Sequence, residues 1–418
     1  MWIGRVDAPR LSPGVAARRW DIAPGGYARR VSTKPSVVVV LGNRPQFIKH
    51  AALARVWQER AEGVRQVIVD TGQHYDHALA GIFMDELAIP EPDFALGVGS
   101  GSHATQLARM LEPLEEILIR EKPSSVVLYG DTNSTLGGAL VASKLHVPIA
   151  HVEAGLRSFD MRMPEEVNRV MCDHVASMLF APTDAAVANL EREGITGERV
   201  HRTGDVMADI AMAVAPAADQ RLEAIAATLA ARGIDLPDAG HFGVVTIHRA
   251  SNTEPEALGE VIECLRAAAE HLPLVFPVHP RTEAAAERAG LHLELASVPN
   301  LTMLPPLGYL DMTALLRAAR VAITDSGGLQ KEAYVHGTPC ITLRDRTEWV
   351  ETVDAGWNAC VGTDSRELER VLELLHAEFG DEPWYQERPD LYGAGDAADQ
   401  ILDVIVRHAS ADAPFRLR

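Results

Sequence analysis

The run SVVVVLG at residues 36–42 is apolar through its whole length and too short for a helix, the composition of a strand buried on both faces. It opens a series in which short apolar runs alternate with longer amphipathic stretches, the pattern of βα units around a parallel sheet. RQVIVDTG (65–72), SSVVLYGD (124–131), VPIAHVEAG (147–155) and SMLFAPT (177–183) read as the next strands, with helical text between them such as HATQLARMLEPLEEILIRE (103–121). An Ala-rich amphipathic segment (211–232) and a Gly/Pro/Asp stretch (233–241) then separate a second series: GVVTIH (243–248), LVFPVHP (274–280), LTMLPP (301–306), RVAITDSGG (320–328) and PCITLRD (339–345). Two such series in 418 residues predict an α/β chain of two Rossmann-like, doubly wound domains, at roughly 100–200 residues per domain. The boundary is expected near residues 205–212, with a last helix around 396–409.

Composition narrows the partners. There are 39 Lys/Arg against 58 Asp/Glu, a formal charge of −19, which repels phosphate backbones and anionic membrane surfaces. Neither nucleic acid nor a membrane is expected as a partner, and an anionic ligand needs a locally basic pocket. Cys172, Cys264, Cys340 and Cys360 lie far apart with no C-x-x-C pair, which argues against a zinc ribbon, a thioredoxin-type site or a disulfide framework. The chain shows neither an apolar run of about 18 residues nor the apolar core of a signal peptide, so a cytoplasmic location is expected. Residues 1–34 stand apart, with seven Lys/Arg, two Asp and no sustained period, and read as a flexible basic extension.

In open parallel sheets ligands sit beyond the carboxyl ends of the strands. The residues there are Arg44 and Lys49, Gln73 and His74, Asp131, Glu153, His248 and Arg249, His279 and Arg281, Asp325 to Gly328, and Arg344. In TDSGGLQKEA (324–333) a strand ends, a Ser-Gly-Gly turn follows and a helix starts, so that Ser326, Gly327 and Gly328 offer N–H groups to a diphosphate at a dipole-positive end. Glu332, one turn inside, either accepts from two ribose hydroxyls or simply complements the dipole. GNRPQFIK (42–49) is neither G-x-G-x-x-G nor a P-loop. Its Arg44 and Lys49 can reach a phosphate, or Lys49 is a solvated helix residue. In MPEEVNRVMCDH (163–174), Pro164, Glu165 and Glu166 suit a helix start and Glu165 with Arg169 forms an i, i+4 pair. Asp131, Glu153, Glu165 and His248, if they meet, make a cluster in which crowding raises a carboxyl pKa toward neutrality. No His pair at i, i+4 supports a metal reading of the same set.

These strings, with YGDTNSTLGGALVASKLHVPIAHVEAGLRSFDMRMPEEVNR (129–169), TGQHYDHAL (71–79), TGDVMADI (203–210), HRASNT (248–253), PVHPRT (277–282) and RDRTEWVETVDAGWN (344–358), closely resemble the non-hydrolysing UDP-N-acetylglucosamine 2-epimerases, in family order from residue 36 onward. The resemblance implies the glycosyltransferase-B arrangement with a central cleft: an N-terminal domain over residues 35–207, a UDP-binding domain over 208–393, and a last helix (394–411) returning to the first. It further implies a homodimer without metal or nicotinamide cofactor. It places the diphosphate of a UDP-sugar on Ser326, Gly327 and Gly328, the ribose on Glu332, and Arg44, Lys49, Arg169, His279 and Arg344 around the substrate. Asp131, Glu153 and Glu165 become the acid/base candidates and His248 the group on the diphosphate side.

Three departures from the family pattern stand out. Tyr75 follows Gln73 and His74 where bacterial members with a second, allosteric sugar-nucleotide site read Gln-His-Arg; HRASNT differs from the usual pattern after His248; and SFDMRMPEE also looks like the branch acting on UDP-2,3-diacetamido-2,3-dideoxyglucuronate. That substrate would need a cation for its sugar carboxylate, which Arg157, Arg162 or Arg281 can supply. A hydrolysing 2-epimerase, another glycosyltransferase-B enzyme and a nucleotide-sugar sensor are the competing readings. The last two would not need three first-domain carboxylates.

Overall fold

Val37, Val38, Val39 and Val40 are fully buried, and around the strand they form the first sheet grows on both sides. The computed structural model describes residues 34–61, 63–72, 86–231, 233–380 and 388–410; residues 1–33 of the expected basic extension (1–34) and the Gln73, His74, Tyr75 segment lie outside the described residues. The strands of the first sheet are β1 (Ser36–Leu41), β2 (Arg65–Asp70), β3 (Phe94–Ala95), β4 (Ser125–Tyr129), β5 (Ile149–Val152), β6 (Met178–Ala181) and β7 (Val200–Arg202). They lie in the order β3-β2-β1-β4-β5-β6-β7 and pair in parallel, Val39 opposite Ile68 on one side and Val127 on the other. The second sheet holds β8 (Gly243–Thr246), β9 (Leu274–Pro277), β10 (Leu301–Leu304), β11 (Val321–Thr324), β12 (Cys340–Thr342) and β13 (Asn358–Cys360), in the order β10-β9-β8-β11-β12-β13 and again parallel.

Both orders reverse direction once, between β1 and β4 and between β8 and β11. At such a switch point the two connecting chains leave in opposite directions and a crevice opens between them. Gly42 to Arg44, Asp131, His248 and Asp325 to Gly328 all follow these four strands directly. The fold therefore aims the polar strand ends at two crevices, one per sheet.

The helix Val206–Asp219 joins the two halves. Asp205 caps it, accepting from the Met207 N–H at 2.7 Å. Its Val206, Met207, Ile210 and Val214 pack into the core of the first sheet, whereas Ala218 belongs to a core of the second. The helix Ala397–Ser410 comes back to the first sheet, placing Ala397, Ile401, Leu402 and Ile405 in the cluster that holds Val37 and Val39. Asp209 accepts from its Ala398 N–H at 2.7 Å, and Arg60 pairs with Asp399 and Asp403. Glu86, from the first half, accepts from the Tyr309 and Leu310 N–H groups at 2.8 and 3.3 Å and so caps the second-half helix Tyr309–Ala318. Among the described residues no helix is long and apolar enough to cross a membrane, and the four cysteines are unpaired thiols.

Candidate active site

The second-domain platform is built at the end of β11. Asp325 is fully buried and accepts from the N–H groups of His248 and Arg249, which ties the end of β8 to the end of β11. Ser326 caps the helix Gly327–His336, its Oγ 3.4 Å from the Leu329 N–H. Gly327 and Gly328 have no positive φ, and a Cβ added to either would meet nothing closer than 3.4 Å. Neither backbone conformation nor protein packing requires glycine there. The backbone at both positions can be approached without a Cβ in the way. Glu332 is buried on the same helix; burial pushes its carboxyl up to about 7 against the opposing pull of Arg44, Tyr309 and Lys331.

Beside the platform, His248 and His279 lie with ring centroids 5.4 Å apart. Arg281 donates to the His248 carbonyl at 3.1 Å, and its own N–H is accepted by His279 Nδ1 at 3.1 Å. Burial, then Arg249, Arg281 and Arg44, lower His248 to about 4, and burial, then His248, Arg281 and Arg44, lower His279 to about 4. Both rings are neutral at pH 7. Arg44 belongs to the first domain, yet acts on His248, His279 and Glu332, so it faces the second across the cleft. This corner is a concentrated positive field in an acidic protein, suited to a diphosphate.

The first-domain corner centres on Glu153, which follows β5 and is 9% exposed. Its backbone is left-handed, at φ 71°, a conformation that costs a non-glycine residue free energy and gathers at functional sites. Lys49 pairs with one carboxylate oxygen, and Lys331 Nζ with the other at 3.0 Å. Burial pushes the carboxyl up, but Lys331 and Lys49 override it and hold it down at about 2. Gly130, at the end of β4, has φ 62°, and a Cβ there would stand 3.0 Å from both Glu153 Oε2 and Lys49 Nζ. Beneath, His151 bridges the Gly130 carbonyl (2.8 Å) and Asp173 (2.7 Å), and Asp173 also accepts from the Gly155 N–H at 3.0 Å.

Asp131 sits one residue beyond Gly130 and pairs with Arg169, which also reaches Glu166 at 2.9 Å and Glu348 at 3.6 Å. Glu348 is bonded to Arg344 at 2.8 Å, so a chain of charges runs from Asp131 across the cleft to Arg344. The expected Glu165–Arg169 pair is not made. The carboxylate of Glu166 folds back onto the Ser158 and Phe159 N–H groups, 2.9 Å each, and from there it, not Glu165, meets Arg169 at i, i+3. The Glu165 carboxylate has no hydrogen-bond or ion-pair partner among the described residues; it stands half-buried in the first turn of the helix Pro164–Val175.

Asp131 and Glu153 thus end neighbouring strands, and Arg169 joins the Asp131 end to the helix of Glu165. His248 stands on the other sheet, with Arg44 facing it. Of the cations considered for a sugar carboxylate, Arg157 has a side chain only 1% exposed and is taken up by Asp173 and Glu193, and Arg162 is 91% exposed on Asp160. Arg281 alone of the three adjoins the site. Lys331, Asp205 and Glu348, by contrast, carry no position directly after a strand that would mark them in the sequence. No group of three His, Cys, Asp or Glu among the described residues could hold a metal ion.

Comparison with known proteins identifies the family. Residues 57–406 match the family model described as UDP-N-acetylglucosamine 2-epimerase. The chain is 42% identical over 375 residues to the UDP-2,3-diacetamido-2,3-dideoxy-D-glucuronate 2-epimerase of Pseudomonas aeruginosa, covering 89% of this chain and 99% of that one. It is 40% identical over 340 residues to the UDP-N-acetylglucosamine 2-epimerase of Methanocaldococcus jannaschii, covering 81% and 91%. A crystal structure of Methanocaldococcus jannaschii UDP-GlcNAc 2-epimerase in complex with UDP-GlcNAc and UDP superposes with a TM-score of 0.79 at 36% identity, over 90% of this chain and 99% of that one. Two parallel sheets with switch-point crevices, a glycine platform under a basic corner and this match over most of its length place the chain in the UDP-N-acetylglucosamine 2-epimerase family of isomerases.

Proposed function

We propose that the protein interconverts UDP-N-acetylglucosamine and UDP-N-acetylmannosamine by inverting sugar C2, through elimination and re-addition of UDP. The observation that carries this is the pair Gly327 and Gly328, glycines with no conformational or packing need at a helix start beside a positive corner. UDP lies with its diphosphate on Ser326, Gly327 and Gly328 and its ribose on Glu332, while Arg44, His248, His279 and Arg344 surround the phosphates. A first-domain carboxylate takes the C2 proton as the C1–O bond breaks, leaving 2-acetamidoglucal and UDP. Re-formation of the C1–O bond, with a proton delivered to the opposite face of C2, gives the epimer. That proton is weakly acidic, so stabilising the departing diphosphate has to drive the step. Asp131, Glu153 and Glu165 are the acid/base groups, and because the intermediate stays enclosed, no water is consumed.

The diacetamido-uronate is a second reading, supported by the 42% identity to the Pseudomonas aeruginosa enzyme and by Arg281 beside His248. Proton NMR in D₂O separates the two. UDP-N-acetylmannosamine carrying deuterium at C2 supports the first; turnover of the uronate alone supports the second; free N-acetylmannosamine with UDP would sink the non-hydrolysing mechanism.

Gly327→Ala tests the platform. The added methyl has room, with its nearest neighbour at 3.4 Å, and alanine is the better helix former, so the melting temperature is expected to hold or rise. UDP affinity by calorimetry should fall by about tenfold or more, the scale of one lost charge-assisted hydrogen bond. Unchanged affinity would remove the platform from the site.

A further inference from the structure

We infer that Lys331 is a positioning residue of the reaction: a cation carried on the UDP-side helix that clamps the first-domain carboxylate Glu153 against Asp205 at the crossover between the domains. The inference rests on the function proposed above. Lys331 has a side chain 1% exposed, its Nζ 3.0 Å from Glu153 Oε1 and 2.5 Å from Asp205 Oδ2, and it lies 4.0 Å over the ring of Trp349. A buried ammonium is costly unless paired and hydrogen-bonded; two carboxylates and an aromatic face supply that here.

The three anchors come from three parts of the chain. Glu153 ends β5, Asp205 caps the helix that crosses from one core to the other, and Lys331 sits inside the helix Gly327–His336. Consecutive helix residues point about 100° apart, so Glu332 turns toward Tyr309 and Arg44 while Lys331 turns toward Glu153. One rigid helix therefore carries both the ribose contact and the cation that sets a carboxylate of the C2 chemistry. Docking of the leaving group and orientation of the acid/base group become coupled through one short stretch of helix, from Gly327 to Lys331.

Lys49 alone does not provide this. It is on the same domain as Glu153, in the helix Arg44–Arg60, and would hold the carboxylate whether or not the second domain were in place. The charged and titratable groups facing Glu153 are Lys49 from that helix, Lys331 from the second domain and His151 from β5. Removing Lys331 leaves Glu153 with one ammonium instead of two, so its proton affinity rises.

The test uses Lys331→Met, Lys331→Arg and Glu153→Gln, singly, and Lys331→Met with Glu153→Gln combined, in the full-length protein. Lys331→Met is expected to lower kcat by about tenfold or more, the lower edge of acid/base effects, with KM for the UDP-sugar changed less than about threefold. The acid limb of its kcat/KM profile should move to higher pH, while Lys331→Arg, which keeps the charge, should leave the limb in place. In the Glu153→Gln background Lys331→Met should cost less than about a further twofold, because residues that act together are non-additive. Equal losses in both backgrounds, or an unmoved acid limb, would overturn the proposal. If Lys331→Met does not fold, Lys331→Arg decides it: a fall in kcat with an unmoved limb supports the clamp, and wild-type kcat or a moved limb overturns it. If the wild-type protein turns over neither sugar, the functional reading fails, and thermal unfolding still tests the clamp. A double variant melting no lower than Lys331→Met alone supports it, and additive losses overturn it.

Discussion

Glu153→Gln is expected to lower kcat by about 10²-fold or more, the usual scale for an acid/base group, with UDP affinity nearly unchanged. The substitution keeps the shape of the side chain and the left-handed backbone while removing the charge that Lys49 and Lys331 share. The expected split follows from geometry: Glu153 belongs to the first-domain corner, whereas the nucleotide contacts proposed here lie mostly on the helix Gly327–His336 and the ends of β8 and β12. Steady-state kinetics on the UDP-sugar, with calorimetry of UDP binding, checks it. Wild-type turnover in this variant would refute the assigned role, and a large loss of UDP affinity would mean that Glu153 acts through the nucleotide.

Glu348→Ala is expected to be the most destabilising change near the cleft, by about 3 kcal/mol, because removing one partner of a buried ion pair leaves its counterion unpaired. Glu348 has a side chain 4% exposed and faces Arg344 at 2.8 Å, Arg169 at 3.6 Å and Arg249 at 4.0 Å. Burial alone would push its carboxyl up; Arg344, Arg249 and Arg169 instead hold it down at about 2. A carboxylate lowered on folding contributes stability that is complete above its unfolded pKa, near 4.5, and is lost as pH falls through the folded value. The difference in melting temperature between wild type and variant should therefore be full at pH 7 and shrink from pH 4.5 downward. A pH-independent difference would assign the loss to packing.

The long apolar runs are strands because burial on both faces leaves no other use for four consecutive valines, and β1, β4, β8 and β11 fall inside the runs read from the sequence. β3, β7 and β13, with sequences FA, VHR and NAC, are not legible in the sequence. Each has two or three residues, β3 and β7 lie at the edges of one sheet and β13 at the edge of the other, and an edge strand of mixed polarity has no periodicity to show. The site divides in the same way. Arg44, Asp131, His248 and the Ser-Gly-Gly turn are visible because position after a strand is a local property. Lys331 is not: its partners are 178 and 126 residues away, and within LQKEAYVHG it reads as one more polar helix residue. The nearest local signal is that every residue from Leu329 to Val335 is buried, so that stretch has no solvent face on which a lysine can rest. The Glu165–Arg169 pairing failed for the reverse reason, since helix spacing permits two glutamates to reach Arg169 and loop N–H groups select Glu166.

The return of the helix Ala397–Ser410 to the core of β1 has a consequence for how the protein is made. Ile401, Leu402 and Ile405 fill the same cluster as Val37 and Val39, so the half of the molecule that leaves the ribosome first lacks part of its interior until the second sheet and these residues have followed. Domains commonly fold as they emerge, amino-terminal part first. Here the later-synthesised sheet can close around its own core while the earlier one waits, with a strip of valine and isoleucine uncovered, for the helix Ala397–Ser410.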